Sequence, residues 1–363
     1  MNSLAEDRWP HIQRGIESIP LAMPSRFRPL RLLRRLRLGG VAYRPGVYIF
    51  TYHTIVDPER AEKWEIAYDK GWVSRGNFEK QVAFLCRKMI PVSLTKAFEL
   101  MAHGKLDRPY FVLTFDDGYR DVLKNASQVV ARFGIKPCMF VNGRGAQGHV
   151  YYRILTALLT KSGHTGALRN ELMSRDASTA WSLDPLELFN QTKNCYKPGI
   201  MEDSVEAAYA RCLGEPTALG VHLKPDEIRR LQVEGWEIGN HTFDHRLLSR
   251  LDAQQIADTI HKNEVFWRNE NVPLIDALAI PNGAVRDVNE HLNSWLQEHK
   301  SAHALFCNGG VNFKYDRTQC LRLFGGNGNE LSMHEIICAE VDRMKRVWKQ
   351  IEGAESEILH GWH

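Results

Sequence analysis

The stretch Tyr110-Phe111-Val112-Leu113-Thr114-Phe115-Asp116-Asp117-Gly118-Tyr119 decides the fold reading. Six residues of β-branched, aromatic and other apolar character run into two adjacent carboxylates and a glycine, which is how a buried strand ends in a sharp turn. Far downstream, Trp236-Glu237-Ile238-Gly239-Asn240 leads the same way into His241-Thr242-Phe243-Asp244-His245. One carboxylate and two imidazoles make a metal set with room for water, and the second carboxylate is left over as a base. That combination points to a hydrolase.

Outward from these two stretches, short β-like runs recur at Val47–Tyr52, Pro137–Asn142, Ala277–Ile280, His303–Cys307 and Cys320–Phe324. Longer helical patterns separate them: Arg75–Lys88, Leu94–His103, Arg120–Phe133, Lys224–Glu234, Asp252–Asn271, Val288–His299 and Ser332–Gln350. Asp252 and Ser332 read as N-caps. Strands alternating with helices argue for parallel strands joined by crossovers. The polar residues respect this order: His53 follows the first strand, Asp116 and Asp117 end the second, Asn142 the third, His241 follows the fourth, and Pro281-Asn282-Gly283 follows the fifth. In a barrel of parallel strands those ends share one face, where catalytic groups gather.

The expected fold is therefore α/β, a distorted (β/α)7-type barrel. Residues 143–222 interrupt the alternation as a long helical insertion between the third and fourth strands, with helical candidates at Tyr151–Lys161 and Val205–Arg211. A connection of this length is usually functional, a lid or a substrate wall, or else it packs outside the barrel. The expected division is a basic N-terminal segment 1–45, a barrel 46–351 and a C-terminal tail 352–363.

At 363 residues the chain can bury a substantial core, and its formal charge of +4 is too small to imply a nucleic-acid partner. Its seven cysteines form no spacing framework and fit a reducing compartment. There is no run of about eighteen apolar residues and no secretory-type leader, so a cytoplasmic location is the expectation. Arg26–Leu38 carries six arginines among leucines with no acid. Such a segment either touches an anionic membrane surface peripherally or forms a solvated helix whose leucines pack on the domain.

The residues TFDDGY, the strand ending Met139-Phe140-Val141, and Gly235 to His245 together resemble the polysaccharide deacetylase family, the NodB-homology domain or carbohydrate esterase family four. The likeness spans roughly residues 48 to 324. Tyr52-His53-Thr54-Ile55-Val56-Asp57 resembles the N-terminal motif of its circularly permuted branch. The resemblance implies removal of an acyl group from an N-acylated sugar, with Asp117, His241 and His245 as metal ligands and Asp116 as general base. A divalent metal is implied; zinc suits the ligands, and cobalt or nickel would also be accepted.

This chain departs from the family pattern in two places. The histidine that usually serves as acid near the C-terminal end is missing from Leu321-Arg322-Leu323-Phe324, which leaves His53 as the candidate acid and His334 as the weaker one. The family's arginine that tunes the base is missing before Pro281, and Arg286 or Arg322 is left to fill its role. Asn240 and Thr242 are expected to orient the histidines, and Tyr119 to supply a backbone N–H for the oxyanion. Tyr119, Trp64, Trp72, Tyr151 and Tyr152 lie where an aromatic face could reach a sugar, and Pro281, Asn282 and Arg322 are further candidates for substrate or supporting contacts. Asn282 beside a glycine is also an ordinary turn residue.

The function so read is metal-dependent removal of an N-acetyl or N-formyl group from a sugar in a glycan or lipid-linked glycan precursor. A catalytically idle glycan-binding or scaffold protein and an amidohydrolase of non-sugar amides are the alternatives.

Overall fold

The computed structural model describes residues 43–68, 72–284, 287–307, 309–313, 315–326 and 333–341. Arg26–Leu38, Arg286, the Ser332 cap and both terminal segments lie outside the described residues.

Seven parallel strands close into a ring: β1 (Gly46–Tyr52), β5 (Pro109–Phe115), β6 (Cys138–Val141), β7 (Glu237–Asn240), β8 (Ala277–Ala279), β9 (His303–Phe306) and β10 (Cys320–Phe324). β1 closes the ring by pairing β5 along its whole length, Gly46 with Pro109 through Tyr52 with Phe115, and β10 on its other side. The described residues hold three further short strands: β4 (Ile90–Pro91) pairs the start of β5, and β2 (Thr54–Val56) pairs β3 (Trp72–Ser74) in a separate ribbon. The seven barrel strands are the seven β-like runs of the sequence, and their order and direction match a (β/α)7 barrel. The three short strands were not expected, because two or three residues carry no periodicity.

Side-chain alternation explains how the barrel delivers its site. Successive residues of a strand point to opposite faces. Val47, Ile49, Val112, Cys138, Phe140, Ala277, Ala279, Leu305 and Cys320 form one buried cluster, packed on Leu94, Phe98 and Met101 of the helix Leu94–Ala102. The residues between them, among them Tyr48, Phe50, Phe111, Leu113, Met139 and Ile238, join a second cluster with the surrounding helices. Continuing the first set in steps of two, with Gly239 of β7 in register with Phe140, reaches Thr51 and His53, Thr114 and Asp116, Asn142, His241, Pro281, Cys307 and Arg322. The groups expected at the catalytic face are thus the upper continuation of the inward-facing columns.

Most helices form where periodicity places them. Asp252 caps Ala253–Asn269 by accepting from the Gln255 N–H at 2.8 Å. The expected helix Arg120–Phe133 divides instead into Arg120–Asn125 and Ser127–Arg132. At the break the Ser127 hydroxyl donates to the Leu123 carbonyl, a local bond that competes with the helical ladder, and the Asn125 amide ties the end of the first helix to the Ile55 carbonyl.

The insertion is helical, with Tyr152–Lys161, Thr165–Arg175, Pro185–Asn194 and Ile200–Leu213 packed on one another. Tyr152–Lys161 is its centre, buried from Tyr152 to Thr160. Pro185–Asn194 was not expected, although Asp184 before Pro185 is a cap followed by a first-turn proline, and the Asp184 carboxylate does accept the Glu187 N–H. Among the described residues no helix is long and apolar enough to cross a membrane.

Candidate active site

Asp116 and Asp117 sit where β5 ends, and the chain treats them differently. Asp116 still follows the strand, its N–H donating to the Tyr52 carbonyl at 3.0 Å. Asp117 turns into the left-handed region with φ 69°, and Gly118 follows it there. Their carboxylates therefore diverge.

The Asp116 carboxylate receives both arms of the Arg322 guanidinium, at 2.7 and 2.8 Å, and the Thr51 hydroxyl at 3.4 Å. Both partners are buried, Asp116 2 % exposed and Arg322 fully enclosed. Burial alone would raise the Asp116 pKa, but Arg322, with His241 and His53 assisting, holds it below the usual carboxylate range. The arginine expected beside Asp116 is thus Arg322, delivered by β10. Its second partner is the Cys307 sulfur at 3.0 Å, and burial pushes that thiol up to about 11.

Asp117 faces the two histidines. Its Oδ1 lies 3.3 Å from His241 Nε2 and 3.2 Å from His245 Nε2, and it has no hydrogen-bond partner among the described residues. His241 Nδ1 lies 2.8 Å from the Ala279 carbonyl, which only accepts, so Nδ1 carries a proton and Nε2 is the ring atom turned to Asp117. Three ligand atoms within 4.8 Å of one another, converging on one buried carboxylate oxygen, suit a cation. Burial opposes charge on Asp117, yet His245 and His241 keep its carboxyl well below the ordinary range. The residues fit a divalent metal.

The histidines meet through a turn. The spacing left open a helical face or a turn, and residues 241–247 form no helix. Thr242 and His245 both take positive φ, 64° and 53°, which coils the chain until the two rings stand 4.9 Å apart. With Asp117, three of the five non-glycine residues at positive φ among the described residues lie in this one site, so backbone strain is concentrated there. Buried amides hold the turn. Asn240 Oδ1 accepts from the Thr242 N–H, and Asn142 donates to the carbonyls of His241 and Thr242. Asn263 ties the Asn240 side chain to the Gly143 N–H and the Val141 carbonyl. Asn240 thus supports the backbone of the turn; the imidazole of His241 is oriented by the Ala279 carbonyl. Thr242 contributes its N–H, and its buried hydroxyl has no partner among the described residues.

The other candidates divide. His53 follows β1, half-buried, its Nδ1 without a partner among the described residues and its ring 5.6 Å from that of Phe324. Burial lowers its pKa, opposed by Asp117 and Asp116. His334 is held instead by the Tyr43 hydroxyl at 2.6 Å and packs on Phe84 and Cys338, so it does not face the carboxylates. The Tyr119 ring, 1 % exposed, is stacked between Trp64 and His222 and has no face for a sugar; its N–H has no partner among the described residues. Trp64 is enclosed by the same stack, and Trp72 lies in the β2–β3 ribbon. Pro281 is buried, and Asn282, at φ 61°, is a turn residue whose side-chain oxygen accepts from Lys193 of the insertion at 2.8 Å. Of the aromatics, Tyr151 reaches the histidines, its ring 4.5 Å from that of His245. It shares a cavity with Asp117, His245, His222, Arg144 and Glu206, so the insertion walls the site.

The Ala279 carbonyl, Asn263 and His222 escaped the sequence reading. Asn263 had a signal, a lone amide on the buried stripe of Ile256, Ile260 and Trp267. His222 had none, and reaches Asp117 across 105 residues.

Residues 103–294, just over half of the chain, match the family model described as polysaccharide deacetylase. The matched part holds both aspartates and both histidines; His53 and Arg322 lie outside it. A comparison with curated proteins finds no match. Among solved structures, the deacetylase PplD of Streptococcus pyogenes in complex with acetate is similar at 12 % identity and a TM-score of 0.50, over 81 % of this chain and 98 % of that one. IcaB from Ammonifex degensii is similar at 14 % identity and 0.50, over 82 % and 97 %. A de-N-acetylase from Aggregatibacter actinomycetemcomitans is similar at 12 % and 0.51, over 80 % and 99 %. At these identities the likeness is one of fold.

Proposed function

The chain belongs to the polysaccharide deacetylase family, and from that premise we propose that it is a metal-dependent hydrolase removing an N-acetyl or N-formyl group from a sugar. The observation that carries the reading is the convergence of Asp117 Oδ1, His241 Nε2 and His245 Nε2 beside a second carboxylate clamped by a buried arginine. Asp117, His241 and His245 would hold a divalent cation, zinc suiting the donors and cobalt or nickel accepted, which when bound makes water a nucleophile at neutral pH and polarises the acyl carbonyl.

The chain's own residues supply the rest. Asp116, kept ionised by Arg322, accepts the proton of the attacking water. The unpartnered Tyr119 N–H donates to the oxyanion. His53, on the inward column of the neighbouring strand, gives a proton to the departing amine, with Asp117 and Asp116 opposing the lowering of its pKa by burial. Tyr151 closes the site over His245.

A lipid-linked glycan precursor at the inner face of a membrane is the substrate class we favour. The arginine-rich Arg26–Leu38 supports it, since basic residues among leucines suit an anionic surface.

The test is acetate and formate release from a panel of N-acylated sugar nucleotides, lipid-linked sugars and short chitin-like oligomers, with added zinc or cobalt and an Asp116→Asn control. Release abolished by the control supports the reading. Tight metal binding without release from any sugar redirects it to a non-sugar amide, and neither metal nor release leaves an idle glycan-binding protein.

A further inference from the structure

His222 stands at the far end of the insertion, yet its side chain is fastened to the first metal-ligand candidate. Its Nδ1 lies 2.9 Å from the Asp117 carbonyl. A carbonyl only accepts, so Nδ1 is the donor. The arrangement is built from several sides. Arg120 donates to the Val221 carbonyl at 2.9 Å and Leu223 to the Gly118 carbonyl at 2.8 Å, which brackets His222 against Tyr119. The imidazole stacks on the Tyr119 ring at 5.3 Å with planes 20° apart. Gly145 covers the ring so closely that a Cβ there would stand 3.0 Å from its Cγ. The side chain is 9 % exposed and lines the cavity that holds Asp117 and His245.

Asp117 is where such a fastening matters. It and Gly118 are consecutive residues at positive φ, 69° and 64°, outside any strand ladder. The carbonyl between them therefore lacks the regular partner that fixes its neighbours, and the His222 side chain supplies one. Rotation of that peptide would swing the Asp117 carboxylate relative to the two imidazoles.

We propose that His222 is a positioning residue of the cation site: by holding the Asp117 carbonyl it sets the metal affinity, and the insertion is thereby an integral part of the site. This rests on the metal reading above.

The experiment is cobalt(II) titration of metal-stripped full-length protein, read by visible absorption, for wild type, His222→Phe and His222→Asn. Phenylalanine keeps an aromatic face for Tyr119 but cannot donate; asparagine places an amide N–H near the position of Nδ1 and gives up the stack. The expected result is one cobalt per wild-type chain, affinity about tenfold weaker in His222→Phe, the scale of losing a group that orients a ligand, and recovery to within about threefold in His222→Asn. Wild-type affinity in His222→Phe, or an equal loss in both variants, would overturn the proposal while leaving the metal reading intact. Failure of the wild type to bind cobalt or zinc would overturn both. Should His222→Phe not fold, Gly145→Ala displaces the ring without removing it; a loss of about threefold or more supports the proposal, and unchanged affinity overturns it.

Discussion

Replacing Arg322 with methionine tests the most consequential contact in the barrel. The guanidinium makes two bonds to Asp116 at 2.7 and 2.8 Å, with both side chains out of solvent. Methionine fills much of the volume and leaves Asp116 as a buried charge without its partner. Breaking a buried pair in this way costs about 3–5 kcal/mol, which at about 1.36 kcal/mol per pKa unit corresponds to a rise of roughly two to four units in the Asp116 pKa. The sign is worked from the shift. In the wild type the Asp116 pKa is depressed, so its stabilisation is present above the usual carboxylate value and lost as pH falls below it. In the variant the pKa is raised, so the penalty is full at pH 8 and fades as pH falls and the carboxyl takes a proton. Urea unfolding at about pH 8 and pH 5, followed by circular dichroism, should show the variant destabilised by about 3 kcal/mol or more at the higher pH and much less at the lower. The double variant with Asp116→Asn should recover part of the loss, giving a coupling energy above about 1 kcal/mol. The acid limb of kcat/KM for Arg322→Met should move upward by the same roughly two to four units. A loss below about 1 kcal/mol at both pH values, with an unmoved acid limb, would refute the assignment of Arg322 as the group that keeps Asp116 ionised.

Asp117→Asn should abolish stoichiometric zinc or cobalt binding in equilibrium dialysis while leaving the far-ultraviolet spectrum unchanged, because it removes one of three converging donors. His53→Asn should lower kcat by about 10²-fold or more with little change in KM, as loss of a general acid does; a change in KM alone would reassign His53 to substrate binding. Gly239→Ala should destabilise by about 1–3 kcal/mol, since its Cβ would land 2.3 Å from the Phe140 ring, which is fully buried and 5.5 Å from the Arg322 guanidinium. Asp176, whose carboxyl Lys197, Ser178 and Thr179 hold below its ordinary value of 3.8, stabilises the insertion above that pH and loses the effect as pH falls beneath it. Asp176→Asn should therefore lower Tm at roughly pH 5 and by a smaller amount at roughly pH 2.5.

What the sequence alone determined follows from short-range order. Each of the seven barrel strands announced itself because β-branched and aromatic residues cluster where a chain is buried on both faces, with turn residues at the ends. Asp116-Asp117 and His241 to His245 were legible because their chemistry is compressed into a few consecutive residues at strand ends. The face on which they meet followed from the parallel order, since all strands of such a barrel point the same way.

The tertiary structure decided which partner each group has. Arg322 meets Asp116 across 206 residues, His222 meets Asp117 across 105, and the Ala279 carbonyl orients His241 across 38. No local pattern records such pairs, because the closing of the ring and the docking of the insertion bring them together. Of two arginines open to the role beside Asp116, the inward column of β10 delivers Arg322 into bonding distance. The Tyr119 ring, open to sugar contact by sequence, lost its free face when Trp64 and His222 packed against it from two distant segments. A local motif can say which groups are present and at which end of a strand they sit. Which of them pair, and which proton each keeps, is set by long-range packing, because hydrogen bonds and ion pairs act only over a few ångströms and only the folded chain brings distant segments that close.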